Sequence, residues 1–349
     1  MKQILAITAF FCCIPLFAQT EVVNSRDKIN FQNGVGYSLP KTILIAKVEA
    51  VKTIKAAGPY FRFSERYLGT KDVITENSES WTIRSVTITS KALPDPANRY
   101  VVRPELKSAA SSLTLTPDGL LCGVNVPLQW EKPAPPPEEQ QESATPNLSF
   151  SNSVMSGDAL QANSTAKMAE LAAQQIYRLR ENRMNLISGD GDKLPDGKAL
   201  ELMLAQINKS EKELTELFAG KTATASVSLD FEITPDKELN NETLFRLSSI
   251  TGIVSHDDVS GQPYYISIKD ITDPHIKEVQ PILQPGLYYR IPGKAAITVT
   301  DPSGNVLLRQ EQTVAQFGVI QALPVSMFNK TNVKVRIDPT TGALLSVEK

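Results

Sequence analysis

The chain has 349 residues, with 36 basic against 38 acidic side chains and a formal net charge of −2. That balance excludes the broad cationic footprint of a nucleic-acid-binding domain. Three cysteines and two histidines leave little for a disulfide scaffold or a histidine–cysteine metal site, and the length calls for two or three packing units rather than one core.

The N-terminal run MKQILAITAFFCCIPLFAQT reads as a signal peptide over residues 1–18. Lys2 supplies the positive start, residues 4–17 a short apolar stretch and Ala18 a small residue for cleavage. The run is too short to span a bilayer. Cys12 and Cys13 follow Phe11 rather than the small residue that a lipoprotein site requires. The mature chain is therefore expected to be exported and soluble, periplasmic or on the outer surface, with no integral membrane segment. Cys122 alone remains in it, which forbids an internal disulfide.

Residues 19–130 read as an N-terminal β-rich domain. A long β-branched run covers 41–51, and Gly58-Pro59 opens a short helix with Tyr60, Ser64, Tyr67 and Leu68 on one face and Gly69 at its end. Trp81 and Ile83 share one parity, Val86 and Ile88 the other, so a bulge is expected between them. Leu113 and Leu115, then Pro117-Asp118-Gly119, then Val124, Val126 and Leu128 give a hairpin with its turn at the centre.

Residues 131–160 form the expected linker, led by EKPAPPPEEQQESATPN at 131–147, whose prolines and charges bury too little to order a core. Residues 161–221 read as an antiparallel helical hairpin. Ala169, Ala172, Ile176, Leu179 and Leu186 on the first helix repeat at three- and four-residue steps, with Arg183 interrupting. Leu200, Met203, Ile207, Leu214 and Leu217 do the same on the second around Ser210. Gly220 closes the pair.

Residues 222–349 return to strand period as a C-terminal β domain. Ala225, Val227, Leu229, Phe231 and Ile233 alternate with polar residues, Tyr264, Ile266 and Ile268 repeat the pattern, and turns are expected at Asp301-Pro302-Ser303-Gly304 and at 338–342. The fold class is thus α+β: mainly antiparallel, sandwich-like β units with a long helical hairpin between them. GVGYSLPKTILIAKV from Gly34 and GLYYRIPGKAAITVT from Gly286 share a glycine, a tyrosine, an aliphatic, a proline and, after one insertion, a lysine. Chance between two proline-led strands explains this echo; two related β modules bracketing the helices is the sharper alternative.

The stretch ISGDGDKLPDGKALE at 187–201 is the nearest thing to a metal motif. Asp190, Asp192 and Glu201 fall at the first, third and twelfth places of a calcium loop. Leu194 and Pro195 occupy the fifth and sixth, where an oxygen donor and a glycine are needed, and proline cannot adopt the glycine conformation. The stretch reads as a bend, with Gly189, Gly191 and Pro195 reversing the chain. Whether Asp190, Asp192 and Glu201 hold a cation weakly is a matter for calcium titration.

Ser255-His256-Asp257-Asp258 resembles a catalytic triad written in a row, but neighbouring side chains diverge and cannot form the relay; a polar loop is the better reading. His275 follows Asp273-Pro274 in a turn context. Cys122 reads as a small hydrophobe within a strand. Arg178, Arg180 and Arg183, interleaved with Glu181, face Glu211, Glu213 and Glu216 across the hairpin, a pattern of interhelical charge pairing. Tyr264-Tyr265 and Tyr288-Tyr289 offer stacking faces for sugar or peptide, though strand alternation sends one tyrosine of each pair inward. No catalytic, cofactor-binding or metal-ligating residue is assigned, and no cofactor is called for.

GPYFRFSERYLG (58–69), the Trp81-Thr82-Ile83 strand, DGLLCGVN (118–125), SGDGDKLPDGKALELML (188–204), ELTELFAGK (213–221), LFRLSSITG (244–252), GLYYRIPGKA (286–295), AQFGVIQALP (315–324) and DPTTGALL (338–345) together resemble an uncharacterised family of exported Bacteroidetes proteins about 350 residues long, a domain of unknown function. The resemblance covers nearly the whole mature chain and carries no catalytic residue with it; relative to it, 131–147 is a variable insertion. The reading that follows is a non-enzymatic binding or scaffold protein of the cell envelope, with a protein or glycan partner engaged by the helical hairpin and no nucleic acid. The rival is a secreted hydrolase of envelope or dietary polymer using carboxylate or serine chemistry, which requires a cleft between the β units.

Overall fold

The structure is a computed structural model that describes residues 21–24, 34–103, 112–127, 148–150, 154–188, 197–280, 286–324, 327–328 and 333–348. In chain order it runs β1 (Glu21–Asn24), β2 (Val35–Ala56), a 3-10 turn at Phe61–Phe63, α1 (Ser64–Leu68), β3 (Ser78–Arg103), β4 (Leu113–Leu115) and β5 (Leu121–Val124). Then come α2 (Gly157–Leu160), α3 (Thr165–Ser188), α4 (Gly197–Ala219), β6 (Lys221–Ile233), β7 (Leu239–Ser248), β8 (Gly252–Val254), β9 (Gln262–Asp270) and α5 (Pro274–Lys277). The chain closes with β10 (Gly286–Thr300), β11 (Val306–Pro324), β12 (Lys334–Ile337) and β13 (Leu344–Glu348). The architecture is mostly antiparallel β with few helices, and among the described residues three sheets have the orders β1-β3-β2-β6, β11-β10-β9-β7-β8 and β13-β12-β5-β4.

Two long hairpins organise these sheets. β2 pairs with β3 from Val35 to Lys55, and β10 with β11 from Gly286 to Thr300. Strand period puts Leu44, Ala46, Val48 and Ala50 of β2 on one face, where they meet Phe245, Ile268, Ile297 and Val299 of the second sheet as one buried core. The anticipated bulge lies between the Glu49–Ser85 and Ala50–Ile83 pairs, leaving Arg84 as the extra residue. The parity change at 81–88 thus marks a bulge and keeps Val86 and Ile88 buried.

A second core gathers Tyr37, Leu39, Tyr100, Leu121, Val124, Leu287, Leu323, Val335 and Ile337. β2, β3, β10 and β11 each feed residues to both cores, one half of each strand to each. The proline-led echo marks the crossover. Pro40 sits at a register break of β2 and Pro292 at one of β10, as expected where the missing N–H removes a ladder bond. Beyond the break the two strands bury the same places of the echo, Leu44 and Ala46 in β2 against Ile297 and Val299 in β10. The two segments are therefore equivalent leading strands of facing hairpins. The sequence reading separates 19–130 from 222–349; in the structure β6 joins the sheet of β2 and β3, β12 joins β5, and both cores draw on both segments.

At the crossover the interior turns polar. One residue of β2, Leu39, faces four of β3, Asp95 to Asn98, between the Ser38–Arg99 and Pro40–Pro94 pairs. That excursion carries Asp95 inward to Arg290, whose Nη2 donates to Asp95 Oδ2 at 2.6 Å; the side chains are 9% and 4% exposed. Asp95 also accepts from Ala97 N and Asn98 Nδ2. Gln316 continues the belt, its Oε1 accepting from Thr42 N and its Nε2 donating to Thr42 O, so that a side-chain amide takes the place of a strand neighbour.

The third core is helical. Tyr60, Met155, Ala159, Ala169, Ala172, Ala173, Ile176, Leu214, Leu217 and Phe218 pack together under the loop that joins β2 to β3. The expected linker 131–160 therefore ends in structure: Ser156 caps α2 by accepting from Ala159 N, and Met155 and Ala159 are buried. Its proline-rich part lies outside the described residues.

Candidate functional site

α3 and α4 run antiparallel. Arg180 Nε donates to Glu211 at 2.7 Å, and Arg183 Nη1 to Glu211 at 2.6 Å and to Asn208 at 3.2 Å. At 1.5 Å rise the 24 residues of α3 measure about 36 Å. Residues 189–196, which join the helices, lie outside the described residues, and with them Asp190 and Asp192. Glu201 is exposed on α4.

The helix pair is held firmly at one end. Gly58 lies so close to α4 that a Cβ there would sit 2.3 Å from the Leu217 carbonyl, and the same carbonyl accepts from Tyr60 N at 2.8 Å. Ile74 N donates to Ala219 O at 2.9 Å. Gly220, at φ 86°, terminates α4 and passes the chain directly into β6; its left-handed backbone is the conformation that glycine adopts without penalty. Tyr60 packs on Phe218 with ring centroids 5.5 Å apart.

Away from this base the burial fades. On α3 the last buried residue is Ile176, and on α4 the first is Leu214. Leu179, Leu186, Leu200 and Ile207, expected in a continuous seam, are only half-buried, and Met203, expected within it, is 46% exposed. A two-helix seam with Arg183 and Ser210 in its middle covers too little apolar surface to close by itself. The outer half carries Tyr177, Met184, Ile187, Leu202 and Met203 as exposed apolar side chains. A shallow groove runs along the pair from Arg180, Arg183 and Asn208 toward Glu216 and Ala219 at the base, and none of these five exposed residues lines it.

The remaining residues singled out in the sequence are scattered. Ser255, His256, Asp257 and Asp258 form an exposed loop whose Asp258 accepts from Ser260 N at 2.8 Å; hydrogen bonding from Ser260 holds that carboxyl below its usual value. Arg246 anchors the loop by donating to the His256 and Gly261 carbonyls. The Ser255–His256 contact is 3.5 Å, and His256 lies 3.1 Å from Asp257 on the exposed side. His275 stands at the start of α5, where Asp273 caps its N–H.

Cys122 is half-buried in β5, and burial pushes its thiol up. Arg178 is exposed, Glu213 is half-buried, and Glu216 pairs with Lys221 at 3.2 Å. Tyr264 stacks on Phe245 at 4.7 Å, as strand alternation predicts. Tyr288 and Tyr289 both pack against the second core, Tyr288 stacking on Tyr100 at 4.4 Å, so this pair departs from the expected inward and outward alternation. Among the described residues no group of three or more His, Cys, Asp or Glu is placed to hold a metal, and no helix is long and apolar enough to cross a membrane.

The buried Arg290–Asp95 pair is the polar feature that sequence reading passed over. Burial pulls the Arg290 guanidinium below its ordinary value, and the Asp95 charge opposes that shift. Its Nε atom is buried without a partner. The signal was an arginine within the otherwise apolar run LYYRIP. The pair joins the two hairpins and is reached by no groove among those described.

A family model described as a domain of unknown function, DUF4831, matches residues 33–345. No curated protein and no solved structure matches the chain.

Proposed function

Because the chain belongs to the DUF4831 family, whose shared domain has no assigned function, the reading must come from its own geometry, and we propose a non-enzymatic binding or scaffold protein of the cell envelope. It is exported by the leader at 1–18, and its helical hairpin, α3 with α4, is the element that meets a protein or glycan partner. One observation carries the reading. A helix pair fixed at its base leaves Tyr177, Met184, Ile187, Leu202 and Met203 exposed along its outer half, five large apolar side chains on one element. Exposed apolar residues gathered on one projecting element mark interaction surfaces.

A polymer hydrolase would need a cleft between the β units. The space between the two hairpins is filled by Leu44, Phe245, Ile268 and Ile297, and Asp95, the one buried carboxylate among the described residues, is bound to an arginine. Both points favour the binding reading.

The test is crosslinking and capture from native envelope with the purified chain and a variant carrying Met184→Glu, Ile187→Glu, Leu202→Glu and Met203→Glu. These positions are exposed, so each change is expected to leave stability within about 0.5 kcal/mol while capture is lost. A variant that melts like the parent and still retains every partner refutes the assignment.

A further inference from the structure

β6 ends its sheet, paired with β2 along 13 positions without a register break. In an antiparallel pair alternate residues turn both N–H and C=O away from the neighbour. The free side of β6 therefore repeats a donor and an acceptor about every 6.8 Å. Among the described residues no hydrogen bond reaches those groups. The usual protections of an exposed edge are missing here: from Thr222 to Leu229 the strand has no charge and no proline. Other sheet ends are short or blunted. β1, β4, β8 and β13 span five residues or fewer, and β11 is broken at its register shift, where Ala315 N donates to Thr42 Oγ1.

The second sheet shows what such an edge takes. β2 and β10, the equivalent leading strands, each have their hairpin partner on one side and a third antiparallel strand on the other, β6 beside β2 and β9 beside β10. Leu44 and Ala46 stand opposite Ile233 and Phe231, and Ile297 and Val299 opposite Ile268 and Ile266. Phe231 thus corresponds to Ile266 and, two residues back, Leu229 to Tyr264. The outer side of β9 is covered by antiparallel β7, whose Phe245 lies opposite Tyr264 and stacks on it at 4.7 Å. β6 has no such neighbour among the described residues, and Leu229, opposite the fully buried Val48, is left 42% exposed. On the other face of the strand Asp230 is exposed and makes no ion pair among the described residues. Glu232, paired with Lys91, is still 60% exposed.

We propose that β6 is a strand-accepting edge for an extended, basic segment of a partner polypeptide, laid antiparallel as β7 is on β9. An apolar side chain of the segment covers Leu229, and basic residues stand opposite Asp230 and Glu232. The chemistry names the occupant. A row of alternating backbone donors and acceptors is matched by a second backbone in the same extended form, and the two acids select positive charge. The site lies apart from the helical hairpin and does not rest on the reading given to it. A main-chain ladder without deep pockets holds its ligand weakly, so a defined peptide is the suitable probe.

That probe is a fluorescent, end-blocked Lys-Val-Lys-Phe-Thr-Val-Thr-Val-Thr, which sets its lysines opposite Glu232 and Asp230 and its phenylalanine opposite Leu229. Anisotropy with the full purified chain should show binding, weakened about tenfold or more by Asp230→Lys with Glu232→Lys. The same variant should prefer a peptide carrying glutamates in place of the lysines. Two N-methylated peptides test the geometry, one blocked at odd positions and one at even. One should lose binding and the other keep it, because only one side of an added strand faces β6. Amide exchange should show new protection at alternate residues of β6. Three results overturn the proposal: no binding at millimolar peptide, equal binding of both methylated forms, or β6 amides all protected in the free chain, whether by a second copy or by another segment. The hairpin variant with glutamate at positions 184, 187, 202 and 203 should bind the peptide as the parent does. Failure of this proposal therefore leaves the hairpin reading standing.

Discussion

Removing the Asp95 carboxylate leaves a buried guanidinium without its counter-charge. Arg290 is 4% exposed, its Nε has no partner, and after Asp95→Ala its remaining bond is Nη1 to the Ala315 carbonyl at 3.4 Å. Ala97 N and Asn98 Nδ2 lose an acceptor in the same step. Breaking a buried pair from one side costs about 3–5 kcal/mol, a large part of the roughly 5–15 kcal/mol that holds a folded domain together. Asp95→Asn keeps an acceptor oxygen and should lose about 1–3 kcal/mol. Replacing both partners, Asp95→Leu with Arg290→Met, removes the stranded charge and should return most of the loss. Urea denaturation followed by circular dichroism measures this as a fall in midpoint at unchanged slope. Because β2, β3, β10 and β11 contribute to both cores, the shift should move a single transition. An Asp95→Ala chain within about 1 kcal/mol of the parent, a double variant no better than the single, or two resolved transitions would refute the role assigned to the crossover.

Two further outcomes follow from the same geometry. Gly318→Ala places a Cβ 1.8 Å from the Ile291 carbonyl, at the register break of β10 and β11, and should lower stability by more than about 2 kcal/mol; a melting temperature unchanged by the substitution would show that the strands part there freely. For Asp270, burial works to raise the carboxyl, but hydrogen bonds from Lys277 and Thr272 together with the Lys277 charge outweigh it and hold the group below its ordinary value of 3.8. A depressed folded value means a contribution that is complete above 3.8 and lost as pH falls through the lower folded value. Asp270→Asn should therefore lower stability in the neutral region, leave it little changed at the acid end where the carboxyl is already protonated, and so flatten the acid limb of a stability-versus-pH curve; an unaltered acid limb would count against the pairing.

How much of this was legible in the sequence differs by scale. Local pattern held: the 81–88 parity change was the bulge at Arg84, Gly69 and Gly220 ended their helices with positive φ, and Asp301 and Asp338 opened hairpin turns. Each depends on a few adjacent residues whose backbone preference no distant contact overrides. The pairing of the two long hairpins was not legible, since strand period fixes which face a residue takes and says nothing of which sheet it meets. The Pro40 and Pro292 echo was the one clue to it, and it needed the coordinates to become more than a coincidence of spelling. The seam of α3 and α4 was read correctly from Ala169 to Ile176 and from Leu214 to Leu217, and too generously at Met203, because a three-four spacing marks an apolar stripe whether or not anything covers it. Arg290 escaped because its partner lies 195 positions away.

The division of the helix pair into a clamped base and an open outer half decides where a partner can act. At the base, Leu217 is tied to Tyr60 and crowded by Gly58, and α4 feeds without a linker into β6, whose backbone is paired with β2 along 13 positions. Displacing α4 there would have to shear a sheet that also lines the first core. Among the described residues the outer half shows no such tether: its seam is half-buried, and the ion pairs of Glu211 with Arg180 and Arg183 are partly solvent-screened and worth little on their own. Local opening free energy should therefore fall along α3 from Ile176 toward Ser188. A partner that covers Met184 and Ile187 would gain by ordering this segment while leaving the β frame untouched. The expected signature of binding is amide-exchange protection confined to the outer turns of α3 and α4, with none propagating into β6 or β2.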